Sequence, residues 1–367
     1  MYRVLLLASA GLCLASIAQA GGGDRSGQSI LAIFEEGGAT GSYAELSFGS
    51  VYPDVSGSYM GFATGGVATD FVMPGFAFKT DINDRISVAL IYDQPWGAAV
   101  DYDIGTGYPF EGSHAALDSS ALSAILKYDF DGGVSVYGGL RAQWVSADVL
   151  FPIISDYSAS APSTTAFGYL VGAAYERPEI ALRVALTYFS STTHDFEVTE
   201  NSSVTGAVVS PYEQVMPEAV NLDAQTGIAE DTLLFGSVRW VNWADFTIAP
   251  PLFDALAGIP LAAYNGNYTT YTLGLGRALT DQWAASVALT YEPQAGGYSP
   301  DLGPFDGIFG VTLGAEYTNG PLVVSGGVNM SWIGDAQTLV TRAPVVTAAT
   351  YENNTSIGVG LKIGYNF

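Results

Sequence analysis

The stretch SIGVGLKIGYNF at residues 356–367 closes the chain and decides its fold. Its odd positions are all apolar: Ile357, Val359, Leu361, Ile363, Tyr365 and Phe367. Its even positions are small or polar, and include three glycines and one lysine. This alternation with period two predicts a β-strand whose two faces meet different solvents. A strand that is apolar on one face, glycine-rich on the other and aromatic at its end predicts a transmembrane β-barrel.

The first twenty residues have the composition of a secretory signal peptide. Arg3 gives the positive start, residues 4–15 are apolar, and the Ala-x-Ala sequence at 18–20 predicts cleavage before Gly21. A membrane anchor is the alternative interpretation, but the apolar run is short for one. The single cysteine, Cys13, lies within this segment, so the exported chain would have no disulfide framework.

The charge of the chain argues against one class of partner. The net charge is −24, and removing Arg3 with the signal leaves 11 basic residues against 36 acidic ones, or −25. Phosphate affinity depends on lysine and arginine, so nucleic-acid binding is excluded. The acidic surface predicts solubility and mutual repulsion, and a role of the acidic loops in binding divalent cations is an alternative.

Two-faced segments recur along the chain at the length of barrel strands. The clearest is 309–317, where Phe309 and Tyr317 lie eight residues apart on one apolar face. Eight residues at about 3.3 Å each, tilted by about 40°, span about 20 Å along the membrane normal. Aromatic residues at both ends of an apolar face are typical of a membrane barrel, whereas a soluble sandwich does not need them. The pattern predicts fourteen strands at residues 42–52, 70–79, 86–96, 120–130, 134–146, 166–176, 180–190, 213–223, 232–243, 267–278, 283–293, 308–318, 322–333 and 351–367.

Short and long connections alternate between these strands, as periplasmic turns and outer loops do in a membrane barrel. An even number of strands leaves both chain ends periplasmic. We therefore predict an all-β chain with three segments: a signal peptide at 1–20, an N-terminal plug segment at 21–41, and one 14-stranded antiparallel transmembrane β-barrel at 42–367. The segment 21–41 is either a disordered lead or a small plug inside the barrel. The expected location is the outer membrane of a Gram-negative cell.

The chain resembles the FadL/TodX-type outer-membrane transporters of long-chain fatty acids and other hydrophobic molecules. The resemblance covers most of the mature chain, mainly through its architecture of an N-terminal plug, fourteen strands and an aromatic C-terminus, and three local motifs in their order along the chain add to it. Pro95, Trp96 and Gly97 end the third predicted strand, where the family has an inward kink that opens a gap in the wall. Met-Pro-Glu at 216–218 begins the eighth predicted strand and is similar to the family's Leu-Pro-Glu segment. WVNWADF at 240–246 resembles the family's aromatic-rich ninth strand. The N-terminal segment is shorter than is usual in the family and lacks its Asn-Pro-Ala motif.

Residues suited to catalysis or metal binding are few. The chain has two histidines, His114 and His194, both in predicted outer loops, and it has no His-x-x-x-His or Cys-x-x-Cys spacing. His194 and Asp195, beside Glu197, could form an acid–base pair, but an exposed and solvated pair is the simpler interpretation. We therefore predict no catalytic residue, no metal site and no cofactor.

Two predicted outer loops are unusually apolar for segments that face water. Loop 147–165 carries Leu150, Phe151 and Ile153, and loop 244–266 carries Phe246 and Phe253. A contiguous apolar patch usually marks a ligand groove or a lipid contact, although these loops could instead pack on each other. The resemblance implies that such loops form the first capture site.

Strand parity places four basic residues on the inner face of the barrel. They are Lys127, Arg141, Arg183 and Arg239. The three arginines could hold a carboxylate head group through bidentate hydrogen bonds. They could instead form internal salt bridges to carboxylates such as Asp93 or Glu176. Apolar inward positions such as Phe235 would then line the path of an apolar tail.

The sequence and the resemblance together predict passive uptake of long-chain fatty acids or similar hydrophobic compounds. The apolar loops would capture the cargo, the arginines would bind its head group, and it would leave sideways through the wall at residues 95–97. The alternatives are a general diffusion porin and a structural or adhesive barrel whose loops bind a partner or Ca²⁺. Expected partners are the hydrophobic molecule, outer-membrane lipid, and the barrel-assembly machinery, which would recognise the C-terminal strand ending at Phe367.

Overall fold

Fourteen antiparallel strands close into a ring in the computed structural model, which describes residues 23–341 and 347–367. The predicted signal peptide lies outside the described residues. Each strand pairs with the next along the ring, and the last pairs with the first, with Phe48 opposite Leu361. The predicted fold class is confirmed. The strands are β1 (Ser42–Asp54), β2 (Phe71–Asn83), β3 (Ile86–Asp93), β4 (His114–Asp129), β5 (Val134–Phe151), β6 (Tyr157–Arg177), β7 (Leu182–Phe189), β8 (Ala219–Ala229), β9 (Thr232–Val241), β10 (Tyr268–Ala278), β11 (Trp283–Glu292), β12 (Ile308–Asn319), β13 (Leu322–Ile333) and β14 (Thr355–Asn366).

The alternation that predicts β14 also describes its two environments. Its odd positions from Ile357 to Phe367 are exposed on the outside of the barrel. Its even positions face the lumen, and Lys362 there is only 2% exposed. The Lys362 Nζ lies 3.5 Å from the Glu45 Oε2 on β1, so this buried cation faces a carboxylate on the neighbouring strand.

Aromatic side chains form two rows on the outside of the barrel. Trp283 lies opposite Tyr317 at one end of the β11–β12 pair, with ring centroids 5.0 Å apart, and Tyr291 lies opposite Phe309 at the other end. Between these two pairs the outward residues of β11 and β12 are aliphatic, among them Val287, Leu289 and Leu313. Among the described residues, no helix is long and apolar enough to cross a membrane.

The eighth strand differs from its predicted position. It begins at Ala219, whereas residues 213–216 belong to a separate hairpin of Thr192–Ser202 and Gly206–Met216 above the ring. Pro217 separates the two elements, because it has no N–H to donate to a strand ladder. The prediction that Met-Pro-Glu begins β8 is therefore wrong, because this motif lies just before the strand.

The outer loops are more regular than the sequence predicts. Much of the predicted loop 147–165 is strand, because β5 and β6 stay paired up to Phe151 and Tyr157. The loop 244–266 contains the helix α1 (Pro251–Ala257). Residues of these two loops and of the outer segments before β4 and before β14 build a hydrophobic core over the outer end of the barrel, which we call the outer core. Its buried members include Tyr102, Tyr108, Phe110, Phe151, Tyr157, Phe253 and Tyr351.

The N-terminal segment lies inside the barrel. A 3₁₀ turn at Ile30–Phe34 is fully buried, and the Ser29 side chain caps it by accepting a hydrogen bond from the Leu31 N–H at 3.1 Å. The turn packs in one cluster with lumenal residues of six strands, β2 to β7, among them Ile91, Ile125 and Leu170. The residues from Gly23 onward thus occupy the place of a plug, while the boundary between plug and barrel stays a prediction.

Candidate transport site

A kink interrupts the third strand where the sequence reads Asp-Gln-Pro-Trp-Gly. Asp93 pairs with Ala121 on β4, and pairing resumes when Gly97 lies opposite Asp118. Three residues of the third strand therefore oppose two of β4, and Pro95 among them cannot donate a backbone hydrogen bond. The short strand that continues above the kink is Gly97–Asp101.

The kink opens a gap in the barrel wall, which we call the window. Pairing between β2 and β3 ends with Phe76 opposite Tyr92. The next bridge between these two segments joins Ala68 to Val100. Residues 71–75 of β2 pair with β1 on one side, but they have no strand partner on the other side within the described part of the chain. A barrel normally satisfies every backbone group around its ring, so an interruption of this length marks a specialised position.

The N-terminal segment fills the window from inside. The Arg25 N–H donates to the Pro95 carbonyl at 2.8 Å, and the Gly27 and Gln28 N–H groups donate to the Asp93 Oδ1 at 3.2 and 3.1 Å. The Arg25 guanidinium lies 4.0 Å from the Phe71 ring centroid, in the range of a cation–π contact.

Gly97 makes room for this arginine at the edge of the window. A β-carbon at position 97 would lie 2.7 Å from the Arg25 Cδ and 2.8 Å from its Nη1. Any larger residue would therefore displace the Arg25 side chain.

A cavity of about 140 Å³ lies in the lumen beside the window, and we call it the lower cavity. Its two sides differ in character. Apolar side chains on β3, β4, β6 and β7 form one side, and Asn221, Asp223, Arg239 and threonines of β10 and β11 form the other. The N-terminal segment and Trp96 complete the lining. The cavity can therefore hold a molecule that has both an apolar and a polar part.

The three predicted head-group arginines have different surroundings. Arg239 makes two hydrogen bonds to Asp24, from Nε and Nη2, and a third from Nη1 to the Asn221 Oδ1 at 2.8 Å. Arg141 lines the lower cavity and lies 5.5 Å from the Phe189 ring. Arg183 is outside the cavity lining and donates to the Gln225 Oε1 at 3.0 Å. The structure thus brings two of the three arginines to one cavity.

A second, smaller cavity of about 50 Å³ lies on the outer side of the lower one, and we call it the upper cavity. Its lining is almost entirely apolar and includes Leu117, Val149, Phe246, Ile248 and Leu261. Trp96 and Trp243 separate the two cavities, with an edge-to-face contact at 5.4 Å between ring centroids.

No model of a known protein family matches the chain, and no curated protein matches it. Solved structures do. A Pseudomonas aeruginosa FadL homologue is 15% identical, with a TM-score of 0.77 and coverage of 98% of both chains. The toluene transporter TodX of Pseudomonas putida is 12% identical, with a TM-score of 0.64 and 98% of both chains covered. The toluene transporter TbuX of Ralstonia pickettii is also 12% identical, with a TM-score of 0.64, covering 97% of this chain and 98% of that one. The chain has the FadL-type fold.

The predicted apolar residues occupy several different places in this FadL-type barrel. Phe246 lines the upper cavity, whereas Phe151 and Phe253 are buried in the outer core. Leu150 and Ile153 are exposed. The sixth predicted residue, Phe235, is buried in a separate lumenal cluster beside Leu233 and Ala288 and does not reach either cavity.

The predicted environment of His194 was wrong. The residue is fully buried on the Thr192–Ser202 strand, where its Nδ1 lies 3.1 Å from the Thr164 hydroxyl, instead of in an exposed loop. Every second side chain along this strand is buried, and His194 lies on the buried face. Asp195 falls on the other face, so the two side chains diverge.

Sequence reasoning missed three residues of this candidate site. Asp24 holds Arg239, Phe189 faces Arg141, and Trp243 divides the two cavities. The motif WVNWADF contains Trp243 and gave a signal for it. Asp24 and Phe189 gave none, because their partners lie far away in sequence.

Two tyrosines of the outer core are deeply desolvated. The Tyr102 hydroxyl donates to the Asp301 carbonyl at 2.7 Å, and its ring stacks on Tyr108 at 5.5 Å. Burial raises the pKa of Tyr102 well above its ordinary value, and burial also raises the pKa of Tyr108. Both hydroxyls therefore stay neutral over the physiological range, which suits an apolar cover.

Proposed function

We propose that this protein is a passive channel that takes up hydrophobic small molecules, such as long-chain fatty acids, across the outer membrane. The observation that carries the proposal is the window, because it opens the wall of a closed barrel beside an internal cavity. The FadL-type fold supports it, since structures of this fold include proteins described as toluene transporters.

The route begins at the outer core and runs through both cavities. An apolar molecule would first enter the upper cavity, where it loses contact with water. It would then pass Trp96 and Trp243 into the lower cavity and leave through the window into the apolar part of the membrane. A sideways exit suits such cargo, because it never has to cross the polar lower lumen.

Displacement of the N-terminal segment would open this route. Residues Gly23 to Gln28 lie between the cavities and the window, held by hydrogen bonds to Pro95 and Asp93 and by the ion pair of Asp24 with Arg239. Cargo can favour the open arrangement only by binding it more tightly than the closed one.

The proposal includes location and assembly. The signal at residues 1–20 would direct export, and the exposed apolar face of β14 would meet outer-membrane lipid. The aromatic end of this strand at Phe367 would be the signal to the barrel-assembly machinery.

The test is uptake of labelled oleate by cells that lack their own fatty-acid importer and express this protein. Saturable uptake is expected. Replacing Pro95, Trp96 and Gly97 with alternating threonine and valine should restore a regular third strand, close the window and abolish uptake. Heat-modifiable mobility in gels checks that the variant still folds as a barrel. Unchanged uptake by a folded variant would refute the lateral route.

A further inference from the structure

The lower cavity contains one buried cation, Arg141, that forms no direct ion pair in the described part of the chain, although Asp93 interacts with it electrostatically at longer range. Arg141 is 7% exposed, and its Nε is buried without a hydrogen bond. Within residues 23–341 and 347–367, no carboxylate lies within 4.0 Å of its guanidinium. Arg239 on the opposite side differs, because Asp24 already pairs with it. A buried guanidinium without a direct ion pair is costly, and an anionic ligand group in contact with it would lower that cost.

The surroundings of Arg141 are apolar and include an aromatic ring. Phe189 lies 5.5 Å from the guanidinium, and Ile91, Ile125 and Leu170 are each less than 5% exposed beside it. These side chains can make van der Waals contacts with a flat hydrocarbon group, and an aromatic ring can pack against Phe189 edge to face.

The size of the cavity limits what can fill it. Its volume of about 140 Å³ is close to the roughly 150 Å³ of an apolar cavity that accepts one benzene molecule. Pockets for larger ligands commonly have volumes of about 300–1,000 Å³. In this arrangement the lower cavity therefore suits a single ring with one small substituent better than a long alkyl chain.

We propose that the preferred ligand of the lower cavity is a compact aromatic carboxylate, a deepening that rests on the proposed transport function. The carboxylate forms a bidentate pair with Arg141, and the ring lies against Phe189 and the aliphatic side chains. Three carboxylates also line the cavity: Asp24, Asp93 and Asp223. Asp24 is paired with Arg239, and Asp93 accepts backbone N–H groups while it also interacts electrostatically with Arg141, so a ligand carboxylate would have to approach the guanidinium from the side away from Asp93. Asp223 repels an anion, so the ligand is oriented with its charge toward Arg141.

The experiment measures binding of labelled benzoate and labelled toluene to the full-length barrel in detergent. We expect saturable benzoate binding that is stronger than toluene binding. Arg141→Met should weaken benzoate binding by about 10- to 100-fold, the effect of losing hydrogen bonds to a charged group, and should leave toluene binding nearly unchanged. Arg141→Lys should give an intermediate loss, because lysine keeps the charge without the planar fork. Arg277→Met, at an exposed position outside both cavities, is the matched control and should bind like the unmodified protein.

The outcomes separate this inference from the proposed function. Equal affinity for benzoate and toluene, or a benzoate affinity that Arg141→Met leaves intact, overturns the assignment. If Arg141→Met does not fold, the benzoate-to-toluene ratio of the unmodified protein and of Arg141→Lys still decides. Uptake of oleate or toluene by cells without benzoate binding would refute the aromatic carboxylate but leave the transport function standing. Failure of all three compounds to enter cells would refute both.

Discussion

The ion pair between Asp24 and Arg239 holds the N-terminal segment in the lumen, and Asp24→Asn removes its negative charge. The Arg239 Nη2 lies 3.2 Å from the Asp24 Oδ1, and the two side chains are 17% and 4% exposed. Breaking a buried ion pair by altering one partner costs about 3–5 kcal/mol. Because Arg239 keeps some contact with solvent, we take the lower end, about 3 kcal/mol. This energy acts on the local equilibrium between the seated and the displaced segment, which should shift by roughly 100-fold.

Hydrogen exchange measures this shift directly. The amides of Arg25, Gly27 and Gln28 donate to Pro95 and Asp93, so they are protected only while the segment is seated. In Asp24→Asn their exchange should become roughly 100-fold faster, while strand amides keep their protection. Asp131→Asn is the matched control, because its partner Arg85 and Asp131 itself are 53% and 90% exposed, and solvent screens such a surface pair so that it contributes little. Unchanged exchange at these three amides in Asp24→Asn would refute the reasoning.

Three further changes probe the window and the outer core. Gly97→Val should push Arg25 out of the window and speed hydrogen exchange of the Arg25 amide, at an overpacking cost of about 1–3 kcal/mol. Gly66→Ala is the control, because a β-carbon at position 66 meets no atom within 4 Å, and it should do neither. Equal exchange of the Arg25 amide in the two variants would count against the contact. Glu200 accepts hydrogen bonds from the Leu252 and Phe253 N–H groups of α1. Glu200→Gln should therefore destabilise the loop 244–266 by about 2 kcal/mol and make it sensitive to protease, whereas Glu197→Gln, at an exposed position, should not. Equal protease resistance in the two variants would contradict the capping role of Glu200. The pKa of Tyr102 in the folded protein is raised above the unfolded value of about 10, so its stabilising contribution is complete below pH about 10 and is lost as the pH rises toward the folded pKa. Tyrosinate absorbance should therefore rise together with the protease sensitivity of the outer loops. Ionisation of Tyr102 while the loops stay protease-resistant would contradict this.

The ring of strands could be predicted because each strand separates two solvents. In β12, Phe309, Leu313 and Tyr317 all lie on the outer face as the alternation predicts, and the two ends of that face carry the aromatic rows. This pattern is local, so it can be read from a single segment. The error at β8 has a related cause, because residues 210–216 of the hairpin strand Gly206–Met216 also alternate between two faces, and only Pro217 and Glu218 separate this strand from the ring.

The site was only partly predictable, because it is built from contacts between distant segments. Pro95 predicts the kink because it has no N–H to donate, and the alternation of faces along β5 places Arg141 in the lumen. The partner of Arg239 is Asp24, which lies 215 residues earlier. No periodicity connects these two residues, since their contact depends on where the N-terminal segment threads through the finished barrel.

The most direct test of the account is a reversible disulfide crosslink across the window. A β-carbon on Gly27 would lie 3.5 Å from the Met73 Cβ, within the range of about 3.5–4.5 Å found in disulfides, so Gly27→Cys with Met73→Cys can join the N-terminal segment to β2. The chain's one cysteine, Cys13, lies in the predicted signal peptide and should not interfere. The single variants serve as controls. We expect uptake of labelled oleate by the oxidised double variant to fall to background and to return on reduction, because the segment can leave the window again. Equal uptake by the oxidised and reduced forms of a folded, fully crosslinked protein would contradict exit through this window.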